Sequence, residues 1–311
     1  MLASEEACAG STYRLFGLNL RSEVSLAGLA PRVEAGAADV EVVFGRVPSG
    51  EYPPGYSATA DGTLLDVAKV GRYLIRKGRE IVIDPAPGAS ERNLRLFLLG
   101  SAIGALLHQR GLLPLHANAI DVAGRAVAFC GHSGAGKSTI AAWFHDRGHA
   151  ILADDVCVIG FDKNGQALAY PGIPRLRLWR EALEASGRNA GEYDRSFDDV
   201  DKYDVPTGVE RELEPLPLAV IYLLRKAENQ KERALVDRLT GVEAIDTLVS
   251  NTYRGAFLKT IGRTGSHLAT CVKIARAVPV FRAQRLWGFD RFDEQAEAFL
   301  RHARQQAQAA G

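Results

Sequence analysis

The chain lacks most of what would commit it to a membrane, a metal cluster or a polyanion. Its 38 basic and 37 acidic residues leave a formal net charge of +1, so no global field draws it to nucleic acid or to an anionic membrane. Cysteine is scarce: Cys8, Cys130, Cys157 and Cys271 are the only four. None forms C-x-x-C, and no Cys/His spacing matches a zinc site. Cys130 and Cys157 fall in apolar strand-like runs, where small core side chains are expected, while Cys8 lies in a polar N-terminal stretch. This usage fits a reducing compartment. The longest apolar run, Leu96 to Leu107, is closed off by Arg95 and His108. It is too short to span a bilayer and reads as a buried helix against a sheet. Met1-Leu-Ala-Ser-Glu-Glu puts acids where a signal peptide carries basic residues. Internal repeats and low-complexity tracts are missing too. The expectation is a cytoplasmic protein with no nucleic acid or membrane partner. Its 311 residues, 47% hydrophobic and 24% charged, make one large or two ordinary domains.

What is present organises into two regions. Residues 12–85 are β-rich: Thr12 to Leu20, Asp39 to Phe44, Thr63 to Ala68, Arg72 to Arg76 and Glu80 to Asp84 are short β runs with tight polar turns. They read as a meander, a small antiparallel domain without chemistry of its own. Pro85-Ala-Pro-Gly88 is a natural boundary, which gives domains 1–88 and 89–311. The second region opens with a helix near 90–110 and continues strand, helix, strand, an α/β pattern. Residues 186–204 turn polar and acidic, with Asp194, Asp198, Asp199, Asp201 and Asp204; a lid and a solvated surface excursion are both open readings. Leu218 to Leu224 reads as a buried strand. Residues 290–308 form an amphipathic helix with Phe292, Ala296, Phe299 and Leu300 on one face.

The most informative stretch is Gly131-His-Ser-Gly-Ala-Gly-Lys-Ser138. It matches G-x-x-x-x-G-K-[ST], a loop whose backbone N–H groups cradle a polyphosphate. Apolar Ala126 to Cys130 precedes it as a strand and Ser138 to Arg147 follows as helix material, ended by Gly148. That is the order the mechanism needs, because a helix N-terminus favours phosphate charge. The expected nucleotide contacts are Gly131, Ser133, Gly134, Ala135, Gly136, Lys137, Ser138 and Thr139. Lys137 would add charge at the β- and γ-phosphates and Ser138 a hydroxyl for Mg²⁺.

Three features accompany the loop. Asp154 and Asp155 end the apolar Ile151-Leu-Ala153. One carboxylate there suits Mg²⁺ and the other a proton from an attacking hydroxyl; neighbours on a strand face opposite ways, so they should not share one role. A simple strand-end turn is the alternative. His116 sits in Pro114-Leu-His-Ala-Asn118, where a satisfied core histidine is the ordinary reading. Arg175 and Arg177, in Pro171 to Leu178, are either surface arginines or neutralise charge during phosphoryl transfer.

The set His116, Gly131–Ser138, Arg147-Gly-His149 and Ala153-Asp-Asp155 resembles the catalytic domain of HPr kinase/phosphorylase, over roughly residues 113–160. The resemblance implies a P-loop α/β fold similar to phosphoenolpyruvate carboxykinase, with ATP and Mg²⁺ as cofactors. It also implies phosphorylation of a serine on a peptide or small protein, and a homo-oligomer. By carry-over Asp154 is the catalytic base and His116 tunes or orients it. By the same carry-over Lys137 holds the phosphates, and Ser138 and Asp155 serve the metal; Arg177, in Pro171 to Leu178, is taken into the catalytic set as a candidate for the missing arginine and is not aligned to the family. The family's Glu-Ile-Arg-Gly signature is absent here, so the reverse phosphorylase reaction is not implied. The front β domain also differs from the family's usual one. In this the chain resembles the divergent HPr-kinase-like proteins of peptide natural-product clusters, some of which phosphorylate a lasso-peptide precursor. Leu248 to Arg254 and Val278 to Phe281 share in that likeness. A small-molecule kinase and a non-catalytic nucleotide-dependent binding module are the competing functions.

Overall fold

The computed structural model describes residues 10–310 apart from 27, 33–35, 49, 51, 198–199, 209–212, 228–235, 287 and 289; Cys8, Asp198 and Asp199 lie outside the described residues. The chain divides into two compact units, residues 1–111 with 256–265 and residues 112–255 with 266–311. Among the described residues no helix is long and apolar enough to cross a membrane.

The first unit is built on a seven-stranded sheet. Gly62–Val67, Gly71–Arg76 and Glu80–Pro85 form an antiparallel meander, joined by Gly55–Thr59, a strand the sequence does not mark. The sheet as a whole is mixed, however. Val40–Phe44 pairs in parallel with both Leu18–Ser22 and Glu80–Pro85, because the chain between 22 and 40 is long enough for a parallel crossover. The helical segment Glu91–Phe97, Leu98–Ala102 and Ile103–Gln109 carries a π-helical turn in its middle. It belongs to this unit, so the division falls at residue 111 rather than 88. Its apolar face, with Leu94, Leu98, Ile103, Leu106 and Leu107, is buried. Polar contacts tie it to the meander: the Tyr73 hydroxyl donates to Leu94 O at 2.9 Å, and Gln109 donates to Thr63 and Ile75 O while accepting from Gly78 N–H. The Pro85–Gly88 turn therefore joins strand to helix inside one unit.

The second unit is a nine-stranded mixed sheet. At its centre Arg125–Cys130 runs parallel to Leu216–Lys226, which runs parallel to Val280–Arg285. Ala117–Val122 and Ile151–Ala153 extend it antiparallel on one side. Arg125–Cys130 is buried on both faces, as its unbroken apolar run demands. Val127 and Phe129 enter a core with the helices Lys137–His145 and Phe292–Ala309. Ala126, Ala128 and Cys130 enter another with Gly241–Ser250 and Thr264–Ala277. Burying a side chain such as Phe129 contributes roughly 2–3 kcal/mol. The terminal helix buries Phe292, Ala296, Phe299 and Leu300, the face its 3.6-residue period marks. Cys130, Cys157 and Cys271 are buried free thiols.

A separate three-stranded sheet orders Arg175–Trp179, Val200–Pro206 and Asp194–Phe197. Much of the polar 186–204 stretch is thus paired strand rather than loop. Alternation explains it: Leu176, Leu178, Tyr203 and Val205 are buried in the core, and the residues between them carry the charges that made the segment look solvated.

Candidate functional site

The strand Arg125–Cys130 delivers the chain into Gly131, and the helix Lys137–His145 receives it after Gly136. Gly131 is needed because backbone crowds it, and Gly136 because of its left-handed backbone. A Cβ on Gly131 would stand 2.8 Å from Leu224 O, and one on Gly136 2.8 Å from the Arg285 guanidinium; their φ values are +146° and +92°. Gly136 caps the helix without a side-chain hydrogen bond, so the first helical N–H groups are left to a ligand or to solvent. Lys137 is buried. Its Nζ donates to Gly131 O at 2.8 Å and His132 O at 3.2 Å, folding back over its own loop. Burial pushes its pKa down, against the opposing charge of Asp155. Buried Asn118 donates from Nδ2 to Lys137 O at 2.5 Å and fixes the first helical residue from below.

The two aspartates part ways, as neighbours at a strand end should. Asp155 adopts φ +70°, a left-handed conformation that aspartate tolerates better than most side chains. It lines a cleft of about 310 Å³ together with His116, Lys137, Ser138 and Lys202. Partial desolvation works to raise its pKa, but Lys202 and Arg177 overcome this and hold it at about 2. Asp154 is not among the cleft-lining residues. Its Oδ2 accepts the Arg177 backbone N–H at 2.7 Å. Burial, then the charge of Asp155, push it up to about 6.

His116 lines the cleft between Leu113–Leu115 and Ala117–Val122, and its backbone N–H donates to Asn251 O. Its Nδ1 lies 3.0 Å from Asp155 O. A carbonyl only accepts, so Nδ1 carries the proton and Nε2 of the neutral ring is left as an acceptor. Burial, then Lys137, lower its pKa, which keeps the ring neutral at pH 7.

Arg177 does not line the cleft. Nη1 donates to Asp155 Oδ2 at 2.9 Å and Nε to Asp204 Oδ1 at 3.2 Å, while Arg175 holds the other Asp204 oxygen at 2.8 Å. This arginine fixes the cleft carboxylate from behind. Gly131 and Ala135 also stand back from the wall, whereas Ser133, Gly134, Gly136, Ser138 and Thr139 form it. Arg147 lies over the Trp143 ring and pairs with Asp293. His149 bonds Asp121 O and meets Phe144 edge-on. Both therefore serve packing.

Sequence reasoning missed Lys202, Arg285, Trp179 and Glu181, which also line the cleft. For Lys202 the signal was the alternation of Val200–Pro206; for Arg285 it was its place at the end of a strand parallel to Leu216–Lys226. Among the described residues no group of three or more His, Cys, Asp or Glu side chains is arranged to hold a metal. A magnesium ion carried by a polyphosphate needs only one or two carboxylates. Ser138 and the ionised Asp155 give such an ion cleft-facing oxygens. Three cations, Lys137, Lys202 and Arg285, face the same space, a balance suited to a polyphosphate.

No protein-family description matches the chain, and no curated protein matches it. Among the solved structures that match is the Hpr(Ser) kinase/phosphatase from Coxiella burnetii, at 15% identity over 63% of this chain and 93% of that one, with a TM-score of 0.36. A likeness this distant decides neither activity nor substrate, which leaves the functional reading to the cleft itself.

Proposed function

We propose that the chain is an ATP-dependent phosphotransferase that transfers the γ-phosphoryl group to a serine hydroxyl of a peptide or small protein. The carrying observation is the cleft in which an uncapped helix N-terminus and Lys137 face the ionised Asp155. The loop N–H groups and Lys137 would hold the β- and γ-phosphates. Ser138 and Asp155 would hold Mg²⁺, which when bound offsets charge on the phosphate oxygens. His116 Nε2 is the unprotonated acceptor for an incoming hydroxyl, and it takes the proton as the serine oxygen attacks the γ-phosphorus in line and the bond from that phosphorus to the β,γ-bridging oxygen breaks, releasing ADP. Arg177 orients Asp155 for this step. A second reading, in which Asp154 is the proton acceptor, is favoured by its pKa of about 6, well matched to work near neutrality. It requires the carboxylate to leave the Arg177 N–H.

Exposed Trp179 and Glu181 at the cleft suit an extended peptide better than a small molecule; a lasso-peptide precursor is the narrower form of the proposal. Protein incubated with γ-labelled ATP, Mg²⁺ and serine-containing peptides should pass label to the peptide. It should pass none to a serine-to-alanine peptide, and Lys137→Ala should lose nucleotide binding and transfer together. His116→Asn should abolish transfer while binding nucleotide normally; if Asp154→Asn does so instead, the second reading stands. Tight nucleotide binding without transfer to any peptide or small alcohol would leave a binding module. Label on a small alcohol alone would make the chain a small-molecule kinase.

A further inference from the structure

The cleft's second lysine comes from an element that the nucleotide-loop motif does not include. Lys202 lies on Val200–Pro206, opposite Trp179 in the antiparallel register with Arg175–Trp179. Alternate residues of the pair, Leu176, Leu178, Tyr203 and Val205, are buried in the core. Their packing sets the pitch of the hairpin, and the period-two pleat then turns Lys202 and Asp204 the other way. The Lys202 side chain is only 15% exposed, yet its Nζ stands 3.6 Å from Asp155 Oδ1, too far for a good hydrogen bond. Arg177 holds the other Asp155 oxygen at 2.9 Å. Lys137 is anchored on two carbonyls of its own loop. Of these three cations Lys202 stands farthest from its partner, and an ammonium on a four-carbon stem is easily redirected.

We propose that Lys202 is a clamp for the terminal phosphoryl group, swinging from Asp155 onto that group when a nucleoside triphosphate enters. The proposal rests on the phosphotransferase reading and deepens it. Lys202 shares a wall with Asp155 and His116, where the acceptor hydroxyl and the transferred group must meet. Asp155 does not lose its neutralising partner in the exchange, because Arg177 stays bonded to it. The clamp thus adds, to the hold of the loop and Lys137 on the phosphates, a contact from the opposite strand pair that only a triphosphate can make.

Calorimetric titration of the full chain with ADP and with a non-hydrolysable ATP analogue, each with Mg²⁺ and with EDTA, tests this. Lys202→Gln is expected to lower affinity for the triphosphate analogue about tenfold or more and to leave ADP within about twofold. Lys202→Arg should recover part of the loss, and both variants should still unfold cooperatively with wild-type circular dichroism, since the packed face of the hairpin is untouched. Equal losses for both nucleotides, or no loss for either, would overturn the clamp. Wild-type binding that disappears in Lys137→Ala while Lys202→Gln behaves as wild type would overturn the clamp alone. A wild type that binds neither nucleotide would overturn the phosphotransferase reading with it.

Discussion

Replacing Asp154 with asparagine should make the protein more stable at neutral pH. The carboxyl is raised from the ordinary aspartate value of 3.8 to about 6, by burial first and by Asp155 second. Folding therefore favours its protonated form. That contribution is fully present below pH 3.8 and is lost as pH rises through about 6. The gap, at about 1.4 kcal/mol per pH unit, amounts to about 3 kcal/mol of strain in the ionised wild type. Asparagine is neutral at every pH, and its Oδ1 can still accept the Arg177 N–H that Asp154 Oδ2 accepts now. Its amide nitrogen needs a partner, which sets the gain nearer 2 than 3 kcal/mol.

The assay is thermal unfolding of both proteins in EDTA from pH 4 to pH 8. At pH 8 the variant should melt about 4–10 °C higher, at roughly 2–4 °C per kcal/mol for a unit of this size, and the advantage should shrink towards pH 4. A difference that is the same at both ends of the range would refute the reasoning, as would a less stable variant at pH 8. The neighbour behaves in the opposite sense. Asp155 is depressed to about 2, so its contribution is present above pH 3.8 and lost as pH falls through about 2. If Asp154→Asn also loses transfer, the trade of stability for activity marks a functional group. If transfer survives, Asp154 is only a strained support for the Arg177 backbone.

Two further outcomes follow from the same geometry. Gly131→Ala would set a methyl group 2.8 Å from the Leu224 backbone oxygen at φ +146°, and should cost about 2–3 kcal/mol in unfolding free energy together with nucleotide binding. Gly134→Ala, whose Cβ meets nothing within 4 Å at φ +80°, should cost about 1 kcal/mol; equal losses in denaturant melts would contradict the steric argument. Arg177→Ala removes a partner from both Asp155 and Asp204 and should lower stability at pH 7 by about 3 kcal/mol. Most of that loss should be gone near pH 2, and a loss independent of pH would mean that packing, not charge, is what Arg177 supplies.

The parts of the site legible in the sequence are those whose chemistry is local. Gly131 to Ser138 had to be a strand-to-helix turn because its residue types and flanking periods admit little else, and the structure puts it between Arg125–Cys130 and Lys137–His145. Asp154 and Asp155 had to differ, since neighbours at a strand end face apart. Which of them meets the cleft was not legible. That depends on the left-handed turn at Asp155 and on an Arg177 backbone N–H from an element more than twenty residues away. Lys202 was hidden for a related reason. Its strand alternates, but the polar half of the alternation, Lys202 and Asp204, reads as solvent-facing until the partner strand sets Arg177 opposite Asp204 and the distant Asp155 comes within 3.6 Å of Lys202. The boundary near residue 88 misled because Pro85 to Gly88 is a true turn; only the bonds from Tyr73 and Gln109 show that the next helix folds back onto the same sheet.

The same division between local and distant determinants fixes where function is most easily altered. The glycine loop is over-determined: a Cβ on Gly131 would meet the Leu224 backbone oxygen, Gly136 takes a left-handed backbone, and Lys137 is tied at both its backbone and its ammonium. The wall opposite is held by one charged lattice, Asp155 with Arg177, and Arg177 with Asp204, anchored on a hairpin whose apolar face is independent of it. On the phosphotransferase proposal, substitutions on that lattice would change what reaches the phosphoryl group without unfolding the hairpin. If nucleotide and acceptor preferences separate by mutation at all, they should separate here, with loop variants moving nucleotide affinity and Trp179 or Glu181 variants moving the KM for the acceptor alone.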